Sequence, residues 1–454
     1  MIRFVALLAS LALLACTPRP VPEVPQRLAV ATEPLPAMKF FGQYAADRPQ
    51  RSNAEMARDI MELEFQMESG RVLDRLTRFE QPVTVLLTGE VPPTAPGDLG
   101  RLLRRLRAEA GIRIEAVGHG PAAITVEFLP RARLQALVPQ AACFVVPGVS
   151  SFSEYRRARR SERVDWVQLS TRERVAVFVP SDTAPQEVRD CLHEEIAQAL
   201  GPLNDLYSLS DSVFNDDNFH TVLTGFDMLV LRVHYAPEMS DGMSKEAFAA
   251  ALPGVLARLN PSGQRAAPHP LGPTPRDWVE AVETALGPGS SSATRRAAAQ
   301  RAVAIARSQG WSDARMAFSY FALGRLSLAD EVEIAVTSLA EAARIYRGLP
   351  DAEIHAAHID MQMAAFALSA GQPDQAIRLA DHAIPVVTRA ENAALLASLM
   401  MIKAEALEMT GQSAQAQALR LDSLGWARYG FGADDQVRAR MSEIAVLSPG
   451  PGRG

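Results

Sequence analysis

Lysine is almost missing from this chain: Lys39, Lys245 and Lys403 are the only three among 46 basic residues. Arginine carries the rest of the positive charge, a bias read here as base composition rather than function. The net charge of −6 and pI near 5.8 leave no basic footprint for nucleic acid, so no nucleic-acid partner is expected. Cysteine is nearly as rare, at three residues. After the first twenty residues no apolar run is long enough to span a bilayer. A Gly-x-Ser-x-Gly elbow, a phosphate loop and a Cys/His catalytic pairing are all absent, which removes the common hydrolase and nucleotide-binding chemistries. What remains is ordinary globular material, 48% hydrophobic and 22% charged, so bulk disorder is excluded. At 454 residues the chain is too long for one ordinary core, and two or three domains are expected.

The chain opens with an export signature. Arg3 is a short basic region, and Phe4 to Leu14 is an apolar segment too short to span. The run Leu13-Leu14-Ala15-Cys16 resembles the bacterial lipobox, which makes residues 1–16 a lipoprotein signal peptide and Cys16 the lipidated N-terminus. That implies a lipid anchor on the periplasmic side of a membrane. Thr17 stands where an aspartate would favour inner-membrane retention, so the outer membrane is expected. Residues 17–36 hold six prolines and read as a stiff, extended tether.

The first folded domain is expected over residues 37–260. Ser52-Asn53-Ala54-Glu55 is a capping box that starts a helix running to Glu68. Strands are expected at Val83 to Leu87, Ile112 to Val117, Ala123 to Phe128, Phe144 to Val149, Asp165 to Leu169 and Arg174 to Val179. A basic helix from Gly97 to Ala110 would turn Arg101, Arg104, Arg105 and Arg107 to solvent, and Arg156 to Arg160 would form an exposed loop. In an oxidising compartment Cys143 and Cys191 are the only thiols apart from Cys16, and a disulfide between them is expected.

The stretch from Cys191 to Asp205 carries the chemistry. It has the cadence of a zinc-peptidase helix, H-E-x-x-H-x-x-G-x-x-H, in which two imidazoles four apart hold the metal and a glutamate activates water. A frame starting at His193 fails because Ala197 stands at the second ligand position. A frame starting at Glu194 keeps the general-base glutamate as Glu195, the glycine as Gly201 and every spacing. It puts Glu194, Gln198 and Asn204 at the ligand positions, with Asp205 following. Gly201 is expected to turn the chain through positive φ. Amide oxygens are weak zinc ligands, and the all-oxygen set suits calcium or magnesium if it binds a divalent metal ion at all. Met239 or Met243, after an apolar helix from Gly225 to Tyr235, would be the relic of a methionine turn.

Three segments carry a family resemblance: the E-E-x-x-Q-A-L-G-x-x-N-D core, Ser212-Val213-Phe214-Asn215-Asp216, and Leu231 to Met243. Together they resemble a bacterial lipoprotein family catalogued only as a domain of unknown function, with a degenerate zincin (metzincin-like) motif. The resemblance implies a fold and a location but no reaction.

Residues 261–292 read as a proline-broken linker with one helix, capped by Thr274 with Pro275 at its first position. From 293 to 447 alanine-rich helices follow one another, with turns expected at Gly310, Gly324, Gly371 and Gly411. Gly371-Gln372-Pro373-Asp374-Gln375-Ala376 and Gly411-Gln412-Ser413-Ala414-Gln415-Ala416 are near copies, as in tetratricopeptide-type hairpins. Such arrays bind peptides or partner proteins, so a protein or peptide partner is expected there. Residues 448–454 read as a disordered tail.

The expected architecture is an α+β zincin-like domain followed by an all-α helical-repeat (tetratricopeptide-like) domain. The expected function is a non-catalytic scaffold or binding module of the cell envelope, with no cofactor and no catalytic residue. The alternative is an atypical metal-dependent hydrolase with Glu195 as general base.

Overall fold

The computed structural model describes residues 34–42, 46–266 and 272–448. Cys16, tether residues 17–33 and tail residues 449–454 lie outside the described residues. The capping box at Ser52 forms as expected, with Glu55 N–H donating to Ser52 Oγ, and starts α1 (Asn53–Phe65). The helix stops three residues short of Glu68, where Gln66 turns extended and pairs with Val72.

Five strands follow: β1 (Val83–Gly89), β2 (Ile114–Val117), β3 (Ile124–Leu129), β4 (Phe144–Pro147) and β5 (Val175–Pro180). They form one sheet in the order β2-β1-β3-β5-β4, parallel except for β4, which runs antiparallel to β5 at the edge. Parallel pairing needs crossovers, and α2 (Ala95–Glu109) supplies the one between β1 and β2. The region is therefore α/β, not the segregated α+β arrangement the sequence suggested. β5 reads Val-Ala-Val-Phe-Val-Pro and is buried at every position, as a parallel strand covered on both faces must be.

Two sequence expectations fail in this region for local reasons. Asp165 to Leu169 is not a strand: the Asp165 carboxylate accepts from Val167 N–H at 3.1 Å, and residues 166–168 wind into a 3₁₀ turn. The arginines at 156–160 are exposed as expected, but the first of them complete a helix after the short α3 (Arg131–Gln135), namely α4 (Phe152–Ala158). On α2 only Arg104 and Arg107 are exposed. Arg101 pairs with Asp98, while Arg105 binds Glu109 at 2.7 Å and donates to Leu223 O at 2.8 Å.

The central helix α5 (Pro185–Leu200) leads to α6 (Gly225–His234) and α7 (Lys245–Leu259). Among the described residues nine more helices follow: α8 (Arg276–Leu286), α9 (Ser292–Ser308), α10 (Ala314–Ser327), α11 (Val332–Tyr346), α12 (Glu353–Ser369), α13 (Pro373–Arg389), α14 (Ala393–Met409), α15 (Ser413–Phe431) and α16 (Asp434–Ala445). They pack mainly as sequential pairs, α10 with α11, α12 with α13 and α14 with α15. Turns fall at Gly310, Gly371 and Gly411, each at positive φ. Gly324 does not turn the chain. It lies inside α10, where a Cβ would sit 2.8 Å from Leu339 Cγ, so the absent side chain lets α10 and α11 approach. Thr274 is not the cap of α8 either: Pro275 holds that place, and Thr274 Oγ1 accepts from Arg315 at 3.0 Å. The helix it precedes is no loose linker, since Trp278 is fully buried in the helical core.

From Pro36 on, the chain forms one compact unit, and the two kinds of structure interlock within it. The loop between α5 and α6 sends Tyr207 and Phe219 into the helical core, against Trp278, Phe318, Phe321 and Tyr346. Residues following the tether lie along α15, with Lys39 N–H donating to Gly425 O at 3.0 Å and Phe41 stacked on Trp426. Among the described residues no helix is long and apolar enough to cross a membrane.

Candidate functional site

Helix α5 is the seam of the molecule. Pro185 opens it at the first position, where a missing N–H costs nothing. Its first turns are buried by the helical array: Ala394 N–H donates to Gln186 Oε1 at 2.9 Å, and Gln186 Nε2 donates to Asn392 Oδ1 at 3.1 Å. Arg189 lies over the Tyr429 ring and 3.7 Å from Glu391. On the sheet side, Cys191 forms a disulfide with Cys143, just before β4, with Cα atoms 6.0 Å apart. The expected pairing is present.

The ligand-frame residues are buried or half-buried, and their amide nitrogens bond within the fold. Asn204 Nδ2 donates to Glu62 O at 3.1 Å. Gln198 Nε2 donates to Asp205 Oδ2 at 3.3 Å. Glu195 is 4% exposed, and its Oε2 has no partner; Asp205 Oδ1 has none either. Glu194 is half-buried beside them. Gly201 keeps its negative φ of −149°, so the expected positive-φ turn is absent. The glycine serves close packing instead, because a Cβ would meet Leu231 Cδ2 at 3.3 Å and His234 Cγ at 3.4 Å.

Two further carboxylates, Glu68 from the end of the α1 segment and Asp216 from the α5–α6 loop, join this group electrostatically. Burial first, and then repulsion from neighbouring acids, favours the neutral form of Glu194, Glu195, Asp205 and Asp216. The Glu194 carboxyl is pushed up to about 8 and that of Asp216 to about 7. Glu195 and Asp205 are raised well above the ordinary carboxylate range, again by burial and then by their acidic neighbours. Neither Glu68 nor Asp216 was singled out by sequence spacing. Asp216 lies in a loop whose carboxylates were visible, whereas Glu68 carried no signal at all.

The nearby histidines that a zinc site would recruit are engaged elsewhere. His193 Nδ1 accepts from Leu223 N–H at 3.1 Å, and burial drives its pKa well below the usual histidine value. His220 Nε2 lies 3.0 Å from Ser210 O, and His234 Nδ1 lies 3.0 Å from both Glu64 oxygens. Among the described residues no group of three or more His, Cys, Asp or Glu side chains is disposed to hold a metal ion. The donor set does not fit catalytic zinc, which asks for three good donors and an open position. Met239 is buried in the α/β core at 1% exposure, and Met243 packs against the same core from the turn after α6.

The fold and site thus define an α/β unit with a buried acidic helix, joined to an all-helical array. Residues 53–254 match the family model described as a protein of unknown function (DUF2927), which spans α1 to most of α7. No curated protein and no solved structure matches the chain.

Proposed function

We propose that this protein is a lipid-anchored component of the bacterial cell envelope, tethered through Cys16 to the periplasmic side of the outer membrane. Its α/β unit is a zincin-like domain without catalysis, and its tetratricopeptide-like array binds a protein or peptide partner. The observation that carries this reading is the fate of the ligand positions. Two of the three ligand positions carry amides whose nitrogens bond within the fold, and burial beside other acids raises the Glu195 carboxyl well above its ordinary range, which weakens it as a general base. The packing of residues 36–42 on α15 supports a scaffold role, since the chain leaving the tether meets the array first.

The test is zinc analysis of the full chain purified without chelators, combined with Glu195→Gln. This reading expects no stoichiometric metal and partner capture unchanged by the substitution. The second reading, a metal-dependent hydrolase with Glu195 as base, draws on the unpartnered Glu195 Oε2. Stoichiometric metal whose loss abolishes a hydrolytic activity would establish it in place of the first.

A further inference from the structure

The sheet edge at β4 carries positive charge out of proportion to the chain. Residues 131–174 hold nine arginines and four acids, a net of +5 in a chain whose net is −6. Helix α4 turns much of that charge outward. Phe152 and Tyr155, three residues apart, pack on Phe178 with ring centroids 5.4 and 5.8 Å away, which fixes the inner face of the helix. Arg156 and Arg157 occupy its last turn, and Arg159 and Arg160 follow it. All four are exposed, and among the described residues none of them has a side-chain hydrogen bond or ion pair. Arg133 of α3 joins them, exposed and without a carboxylate partner, its guanidinium carbon 5.7 Å from the Phe152 ring.

The acids of the segment do not answer these five cations. Glu154 accepts from Ser150 N–H at 2.8 Å and already lies 3.5 Å from Arg163 and 3.7 Å from Arg174. Asp165 is taken by Arg71 at 2.8 Å. Exposed Glu162 and Glu173 remain, two charges against five. A helix C-terminus favours cations, but its partial charge is too small to neutralise four of them. Among the described residues no large exposed apolar side chain falls within the segment. A protein interface draws its affinity from aromatic or aliphatic anchors at its centre, whereas an anionic bilayer surface needs only cations held near it.

We infer that this arginine face, Arg133 with Arg156, Arg157, Arg159 and Arg160, is a docking surface for anionic lipid headgroups. The inference takes its location from the lipid-anchored reading above. Seventeen residues separate Cys16 from Pro34, a reach of at most about 60 Å, so the anchor alone does not fix which face meets the bilayer. The arginine face does. Headgroup phosphates accept from the guanidinium forks, and the rest of the surface, which is net acidic, is turned away from the anionic bilayer.

The test is co-sedimentation with vesicles of the full chain carrying Cys16→Ser, which has no acyl chains. One set of vesicles is phosphatidylcholine alone, and the other contains about a third phosphatidylglycerol. Tighter partition onto the anionic set is expected, falling to the neutral level at about 0.5 M salt, where screening shortens the reach of charge. Arg159→Gln with Arg160→Gln should weaken the anionic partition about thirtyfold, roughly fivefold for each arginine. Arg301→Gln with Arg389→Gln makes the same charge change on exposed arginines of the helical array and should leave partition within about twofold. All four side chains are exposed, so neither variant is expected to unfold. The inference is overturned if vesicle charge makes no difference or if the two variants weaken partition equally. It is also overturned if the chain holds a polyglutamate peptide but no anionic vesicle, which would make the partner an acidic protein. Such a failure leaves the Cys16 anchor standing; that reading fails separately, if Cys16→Ser stays with cell membranes through a high-salt wash.

Discussion

The two halves of this molecule bury different things. Around α5 the α/β region buries charge and acid: Arg172, Arg189, Glu195 and the His234–Glu64 pair are all nearly inaccessible. The helical array buries small apolar groups instead, with Ala302, Ala306, Ala317, Ala342 and Ala380 at its core and Gly324 at a helix crossing. The difference shows where each half is vulnerable. Titration of buried acids perturbs the first; the second also buries Arg315, His355 and Asp360, but its alanine-packed helix crossings respond to volume.

The largest expected effect is on the side that the disulfide holds. The Cys143–Cys191 bridge closes a loop with a separation of 48 residues, worth about 4 kcal/mol in the chain-entropy account. Replacing both cysteines by serine should lower stability by about that amount in urea unfolding, with the array's helical signal lost in the same transition. Two well-separated transitions would show that the halves do not stabilise each other as their interlocked aromatics imply.

On the array side, Gly324→Val should cost about 3 kcal/mol, because the added carbons enter space already held by Leu339 and the Ala335 carbonyl. The cost should be the same at pH 5 and pH 8. A strong pH dependence of this penalty would break the contrast between the halves.

A smaller effect, opposite in character, is expected at Glu194. Its folded pKa, about 8, lies above its unfolded value, so the folded form holds a proton that the unfolded chain releases as pH rises past about 4.5. The associated stability is full below that pH and is lost on the way to pH 8. Glu194→Gln removes this titration and should stabilise the protein at pH 8, with the difference from wild type vanishing near pH 4. Buried His193 and His220, whose pKa values are lowered, act oppositely, destabilising the fold as pH drops below about 6.5. The comparison of variant with wild type isolates the acid. An unchanged difference across the range would mean the carboxyl is ionised in the fold.

The smallest effect expected is none. EDTA should leave the thermal midpoint unmoved, since a bound metal would stabilise the fold in proportion to its occupancy. A drop of several degrees on chelation would place a cation among Glu194, Glu195 and Asp205 and erase the sense in which that acidic group is held by protons.

Much of the fold was legible in local sequence, and the reasons differ by element. The Ser52 capping box, the all-apolar β5 and the Pro185 helix start depend on neighbours only a few residues away, so spacing alone located them. Cys143 with Cys191 followed from counting thiols. Gly371 and Gly411 turned the chain as their near-identical surroundings indicated. At the candidate site, Glu194 and Gln198 were singled out because a helix places residues four apart on one face, while Glu195 and Asp205 came from the spacing of the peptidase motif.

Other features rest on contacts between residues far apart in the chain, and no local pattern carries them. Gly201 and Gly324 looked like turn glycines, but each is there because another side chain, His234 or Leu339, comes too close for a Cβ. Glu68 joins the acids of α5 only after the chain has closed on itself, and Arg172 meets the Gln198, Ala199 and Gly201 carbonyls only when it packs under the end of α5. Sequence by itself determined most of the helices and strands and which thiols pair, because those depend on short-range periodicity and composition. Tertiary structure alone decided which charges are buried together, because the desolvation that shifts a carboxyl comes from atoms contributed by distant parts of the chain.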